Sequence, residues 1–277
     1  MLRRTQEILA AVCFFAFLLV STTAAAAFIV TSIGGTNDPA SIQTTVDQFR
    51  AVLGNPNNGN APGPLLTGRR EINWDGGGVT TTVSGTPFAG FQVIRGALFV
   101  TPGSGFVQAP PSGLETTFGN FTYDEIFDTF SPFRLFTPIG SNITDVFFSI
   151  PGSPSELATV TGFGAIFTDV DLPTSTTLQF FDLNNNLLFA QNVSPGIVAD
   201  GSLSFLGAIA NAGEEIFRVR ITSGNTALGP NDGAGIDVVA MDDFLFAEPL
   251  RVPEPSIVAL LGIGALALFA VTRRRRS

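Results

Sequence analysis

From Phe88 to Ala247 the chain runs as short apolar segments rich in Phe, Val, Ile and Thr, each cut off by Gly, Pro, Asn or Asp. That punctuation yields short strands and no helices between them. Eight segments read as strands: Phe91–Val100, Asp145–Ile150, Val160–Asp169, Thr177–Leu183, Leu187–Val193, Ser202–Ala208, Ile216–Thr222 and Val238–Ala247. In the seventh, Phe217, Val219 and Ile221 alternate with Arg218 and Arg220, the period-two pattern of a half-buried strand. Asp182-Leu183-Asn184-Asn185-Asn186 predicts a hairpin turn, because Asn tolerates the positive φ it needs. The expected fold is all-β, an antiparallel jelly-roll-like β-sandwich over residues 88–249. A parallel β-helix is disfavoured because no fixed repeat period is found.

One helix is expected in the loop-rich segment 28–87. Asp38 suits an N-cap with Pro39 after it, Ile42, Val46, Phe49 and Leu53 share a face, and Gly54 closes the helix at 39–53. The following run, Asn55 to Pro64, carries too much Pro, Gly and Asn for regular structure and reads as a surface loop. Twenty-seven phenylalanines supply apolar volume for a sizeable core, against one Trp and one Tyr.

Residue types that are missing limit the chemistry. The chain has no histidine and no lysine, and its one cysteine is Cys13. Ser-His and Cys-His catalysis, His-ligated zinc, Schiff bases and the P-loop are therefore excluded. Carboxylate-pair chemistry and oxygen-ligated metals survive. From Phe28 to Pro255 there are 22 acidic residues, all but Glu7, and 8 of the 14 arginines, a net charge of −14. Nucleic acid is not an expected partner, since phosphate binding needs clustered cations.

Asp242-Asp243 interrupts an otherwise apolar final strand, and a carboxylate pair there is costly unless a cation or an arginine meets it. Neighbours on a strand point to opposite faces, so one of the two should turn inward. A structural Ca²⁺ held by Asp242, Asp243, Asp169 and Asp171 is one expectation; an arginine partner such as Arg134 or Arg218, or simple edge exposure, are the others. Trp74 could stack on a sugar or anchor its own loop. Arg69 and Arg70 could bind an anionic glycan or pair with the surplus carboxylates.

Both ends read as addresses. Arg3 and Arg4, the apolar stretch Ile8–Val20 and Ala24-Ala25-Ala26-Ala27 have the three parts of an export signal peptide over residues 1–27. A retained membrane anchor is the alternative there. At the other end, Val252-Pro253-Glu254-Pro255 precedes an apolar run from Ile257 to Val271 and then Arg273-Arg274-Arg275-Arg276. Fifteen helical residues rise about 22 Å, just enough for a membrane span with snorkelling arginines. The four arginines would hold that end in the cytoplasm.

This tail, residues 250–277, resembles the PEP-CTERM sorting signal of Gram-negative, exopolysaccharide-producing bacteria. The resemblance implies that an exosortase in the inner membrane recognises Pro253-Glu254-Pro255 and removes the span; an ordinary tail anchor is the other reading. Gly68–Asp75, Arg134–Asn142, Gly162–Asp171 and Met241-Asp242-Asp243-Phe244 also resemble segments of uncharacterised exported PEP-CTERM proteins, which implies a carbohydrate-binding-like sandwich and no assigned activity. The expectation is a non-enzymatic protein displayed on the cell surface or in the exopolysaccharide matrix, structural or glycan-binding. The alternative is a carboxylate-dependent polysaccharide-active enzyme in the same place.

Overall fold

A computed structural model describes residues 27–252. Residues 1–26 of the expected signal peptide, Pro253-Glu254-Pro255, the apolar run 257–271 and Arg273 to Arg276 lie outside the described residues. The elements, in order, are β1 (Phe28–Gly34), α1 (Ala40–Leu53), β2 (Arg69–Ile72), β3 (Thr82–Gly85), α2 (Gln92–Arg95), β4 (Ala97–Val100), β5 (Gly105–Ala109), α3 (Pro111–Phe118), α4 (Tyr123–Ile126), β6 (Leu135–Ile139), β7 (Ile143–Ile150), β8 (Ser153–Thr159), β9 (Gly162–Thr168), β10 (Thr177–Phe181), β11 (Leu187–Asn192), β12 (Leu203–Ala210), β13 (Arg218–Thr222), β14 (Ala240–Ala247) and β15 (Leu250–Arg251).

These strands form two antiparallel sheets. The larger runs β1-β12-β9-β14-β6-β5-β3, with β2 also on β14; the smaller runs β11-β10-β13-β7-β8-β15, with β4 also on β7. One apolar cluster joins them: Phe163, Phe244 and Phe246 of the larger sheet pack against Phe99, Phe148 and Phe180 of the smaller. Of the alternation expected in β13, Val219 and Ile221 are buried, but Arg218 is buried as well and Phe217 precedes the strand only partly buried; Arg218 and Arg220 both reach Asp145 on neighbouring β7. The expected hairpin joins β10 to β11, with Asn185 at φ 64° and the Asp182 carboxylate accepting the Asn186 amide at 2.8 Å.

Every residue of β9 and β14 is buried, because the larger sheet is covered on both faces. Helix α1 lies on part of its outer side. The Asp38 carboxylate accepts the Ala40 amide at 2.9 Å at its start, and Ile42, Val46, Phe49 and Leu53 are all buried, the face expected from sequence. Phe49 sits edge-on to Phe205 and fills the space that a side chain at Gly164 or Gly207 would take; a Cβ there would come within 2.7 or 2.6 Å of its ring. A second apolar cluster, including Leu114, Tyr123, Phe127 and Ala240, lies beneath α3 and α4.

Two expectations change. The segment 28–87 supplies β1, β2 and β3 to the larger sheet, so the sandwich extends well before residue 88. Phe91–Val100 is not one strand: Gly96, at φ 79°, breaks it into the short helix α2 and the strand β4, and α3 and α4 add helices that the punctuation hid. No helix among the described residues is long and apolar enough to cross a membrane. Removing the Phe49 ring leaves a cavity between α1 and the sheet, so Phe49→Ala should lower the unfolding free energy by about 3–5 kcal/mol in urea denaturation.

Candidate functional site

β14 divides the larger sheet. Along one edge it pairs with β9, but the register slips between Met241 and Phe244, so Asp242 and Asp243 together face Ile166 in a β-bulge. Along the other edge, Met241 pairs with β6 while Phe244 to Ala247 pair with β2. The bulge thus sits where β2 and β6 part, and it turns both carboxylates toward the loop Phe130-Ser131.

That loop answers the charge. Asp242 Oδ2 accepts the amides of Phe130 at 2.6 Å and Ser131 at 3.3 Å. The Ser131 hydroxyl lies 3.2 Å from Asp242, 2.8 Å from Asp243 and 2.9 Å from Asp75. One hydroxyl proton cannot serve three carboxylates, so a carboxyl proton is needed as well. Asp242 is fully buried; burial first, and the charge of Asp243 next, push its carboxyl well above the ordinary range. Burial likewise pushes Asp243 up to about 6, against hydrogen bonds from Ser131 and Asp242 and the nearby charge of Arg50.

Asp75 is held in turn by the amides of Phe133 and Arg134, at 2.5 and 3.1 Å. The arginine that meets the pair is Arg50, 3.4 Å from Asp243, and neither Arg134 nor Arg218 does so. Arg134 bonds the Gly78 carbonyl and Thr82, while Arg218 bonds Asp145 and lies over the Phe181 ring.

The four carboxylates expected to share a calcium ion fall into two neighbourhoods. Asp242 has Asp243 and Asp75 around it, and the Ser131 hydroxyl occupies the point where those oxygens converge. Asp169 sits beyond β9 at φ 67°, with Asp171, Asp232, Asp237 and Asp200 as its electrostatic neighbours. There Asp237 is taken by the amides of Asp171 and Leu172 and by the Ser175 hydroxyl. Among the described residues no group of three or more His, Cys, Asp or Glu is arranged to hold a metal ion.

The expected sugar contacts are also redirected. Trp74 is 1 % exposed, stacks on Phe136 with centroids 3.8 Å apart, meets Phe91, Phe99 and Phe244 edge-on, and donates its indole N–H to the Asp242 carbonyl at 2.8 Å. It is the anchor of its loop, with no face left for a sugar. Arg70 is fully buried against Glu248 at 2.7 Å and also holds the Gly59 carbonyl. Arg69 is committed to Glu71 at 2.6 Å, the Gly54 carbonyl and Asn55.

Beside the acidic bulge opens a polar cleft of about 430 Å³, walled by α1, β2, α2 and the 130–132 loop. Gln43, Asn57, Asn73 and Glu71 line it with Arg50, Arg95, Phe130 and Asp243. Arg50 bridges Asp47, Glu71 and Asp243 at 2.9, 3.1 and 3.4 Å. Arg95 differs from the other arginines described. Six of those make ion pairs and Arg134 bonds a carbonyl, but Arg95 Nε and Nη1 are buried with no acceptor among the described residues. Burial, then the charge of Arg70, lowers its pKa from the ordinary arginine value. Arg95 falls within the strand expected over Phe91–Val100, and Ser131 and Arg50 carry no local signal of the site; Gly96, which ends α2 and turns the chain, is the one sign of it in the sequence.

The chain is thus a two-sheet β protein whose last described strand leads directly into a sorting tail. Residues 251–276 match the PEP-CTERM protein-sorting motif. That motif implies an exported, membrane-anchored precursor and processing by an exosortase. No curated protein and no solved structure matches the chain. Val252, the first residue of the expected motif, is described and lines a second cleft of about 400 Å³ with Asp182 and Glu214.

The raised carboxyls give stability a definite pH dependence. A carboxyl raised in the fold stabilises it fully below the unfolded value of about 4 and loses that contribution as pH rises through the folded value. Asp169, pushed up to about 8 by burial and then by Asp171, Asp232, Asp237 and Asp200, loses it between about pH 4 and 8. Its Oδ1 is buried without a partner, and Asn tolerates a left-handed backbone. Thermal unfolding should therefore show Asp169→Asn raising Tm at pH 8 and leaving it nearly unchanged at pH 4.

Proposed function

We propose that the processed protein is a non-enzymatic, jelly-roll-like binding module, displayed on the cell surface or in the exopolysaccharide matrix, that takes a sugar of a matrix glycan in the cleft at Arg95. The observation that carries this reading is the pair of buried Arg95 donors facing no acceptor among the described residues. A buried donor without a partner costs about 1–3 kcal/mol, and the hydroxyl, ring or carboxylate oxygens of a sugar would supply what is missing. Three amides, from Gln43, Asn57 and Asn73, offer both donors and acceptors around it, and the half-buried Phe130 ring adds an apolar wall. Export and exosortase processing support a location outside the inner membrane. The net charge of −14 between Phe28 and Pro255 disfavours nucleic acid as a partner.

Isothermal titration of the exported body with oligosaccharides from matrix polysaccharide should give saturable binding. Arg95→Ala should weaken it at least about tenfold, the equivalent of one charge-assisted hydrogen bond, without lowering Tm. Equal affinity in the variant would remove Arg95 from the site and the proposal with it.

One observation favours the enzymatic alternative. Glu71 and Asp243 lie 3.1 and 3.4 Å from the same Arg50 nitrogen on the cleft wall, and Asp243 is pushed up to about 6. Two close carboxyls with one pKa raised are the equipment of a glycosidase. Release of reducing ends from matrix polysaccharide, abolished by Asp243→Asn and by Glu71→Gln, would establish hydrolysis in place of simple binding.

A further inference from the structure

Glu214 stands in the loop between β12 and β13 with no basic side chain on it; the ion pairs among the described residues leave it out. Its carboxylate faces backbone instead. Oε1 accepts the amide nitrogen of Ala27 at 2.5 Å, and Oε2 accepts the amide of Ala212 at 2.9 Å. The Ala27 carbonyl accepts the Asn211 amide at 2.9 Å, so Ala27 is tied at both its polar atoms. Phe28 then begins β1, opposite Ala210. Residue 27 is thus the first one the sandwich holds, and a carboxylate meets its nitrogen.

We propose that signal peptidase cuts the exported chain between Ala26 and Ala27, and that Glu214 is the built receptor for the ammonium group this exposes. The sequence Ala24-Ala25-Ala26 places small residues where the peptidase requires them. A cut one residue later would also satisfy that requirement, and the structure separates the two: it would remove Ala27 and leave Glu214 only amides of its own loop, Ala212 at 2.9 Å among them. In the hydrolysis, water adds to the Ala26 carbonyl carbon and the C–N bond breaks. Ala26 leaves as a carboxylate, and both protons of the water pass to the Ala27 nitrogen, which becomes an ammonium group.

A single amide N–H is then replaced by three N–H donors and a full positive charge, at the distance of a charge-assisted hydrogen bond. Glu214 is prepared for that role: burial pushes its carboxyl up, but the hydrogen bonds from Ala27, Ala212 and its other backbone donors bring it below its ordinary value, so it stays charged over a wide pH range. Cleavage would in this way strengthen the outermost end of β1, an edge strand of the larger sheet.

The proposal rests on the export reading of residues 1–26, and the test separates the two. The full chain is expressed in an exosortase-bearing Gram-negative host, and the mature form is recovered and its N-terminus read by mass spectrometry. Ala27 as the first residue is expected. Retention of residues 1–26 would overturn the export reading itself. A start at Phe28 or any other residue would leave export intact and overturn the proposed cut and receptor.

Titration of the terminal amine in the same protein tests the receptor directly. An exposed α-amino group titrates near about 8, and the Glu214 carboxylate should raise it by one unit or more. In Glu214→Gln, which keeps the shape and a hydrogen-bond acceptor, it should return toward that value. An amine that titrates near 8 in the unaltered protein would overturn the receptor without recourse to the variant.

Discussion

The larger sheet depends on one buried carboxylate being satisfied. Asp242 lies at the bulge where β14 exchanges one neighbour for another, and its fully buried charge or proton must be met locally. The chain meets it with two amides from the 130–131 loop, a serine hydroxyl and a carboxyl neighbour, while its carbonyl receives the Trp74 indole. Those bonds tie together three stretches far apart in sequence: the turn after β2, the loop before β6 and the last long strand. The same bonds place Asp243, Ser131 and Phe130 on the wall of the cleft. Architecture and candidate site therefore share one set of contacts.

Around that point the chain handles a large excess of acid with few cations. Arg70 pairs with Glu248 in full burial and joins β2 to the end of β14, while Arg218 and Arg220 both reach Asp145 across two strands. Buried pairs of this kind contribute through geometry more than through net stability, since desolvation offsets much of their attraction. Where no arginine is at hand, as at Asp169 and Asp242, burial and mutual repulsion favour a held proton instead. Arg95 is the exception on the cationic side: its Nε and Nη1 are buried with no acceptor among the described residues.

Local patterns were legible in the sequence. The helix at 40–53 declared itself through Asp38, Pro39 and a four-residue apolar stripe, and the β10–β11 hairpin through its asparagines, because each is fixed by neighbours in the chain. β2, β5 and β6 were not, since four or five residues carrying arginine, glutamine or proline give too little alternation to read. The site was least visible, because its contacts are long-range: Ser131 meets Asp243 across 112 positions, and Trp74 meets the Asp242 carbonyl across 168. Trp74 and Arg70 carried the polar surroundings of exposed residues and proved to be among the largest fully buried side chains. The sorting tail was plain because its motif, apolar run and arginines follow one another along the chain and are read from neighbours alone.

Glu214 also lines the second cleft, whose rim includes Val252, while its carboxylate holds Ala27. Entry and exit of the body therefore lie at one pole. Only Pro253-Glu254-Pro255-Ser256 separate Val252 from the apolar run that begins at Ile257, and the five steps from Val252 to Ile257 reach at most about 18 Å even when fully stretched. A precursor anchored through that run would hang from the bilayer as a short-tethered pendant, that pole turned down and its carboxylates Asp182, Glu214 and Glu215 held close to the headgroups. An anionic leaflet would repel that pole and push such a pendant outward against its tether.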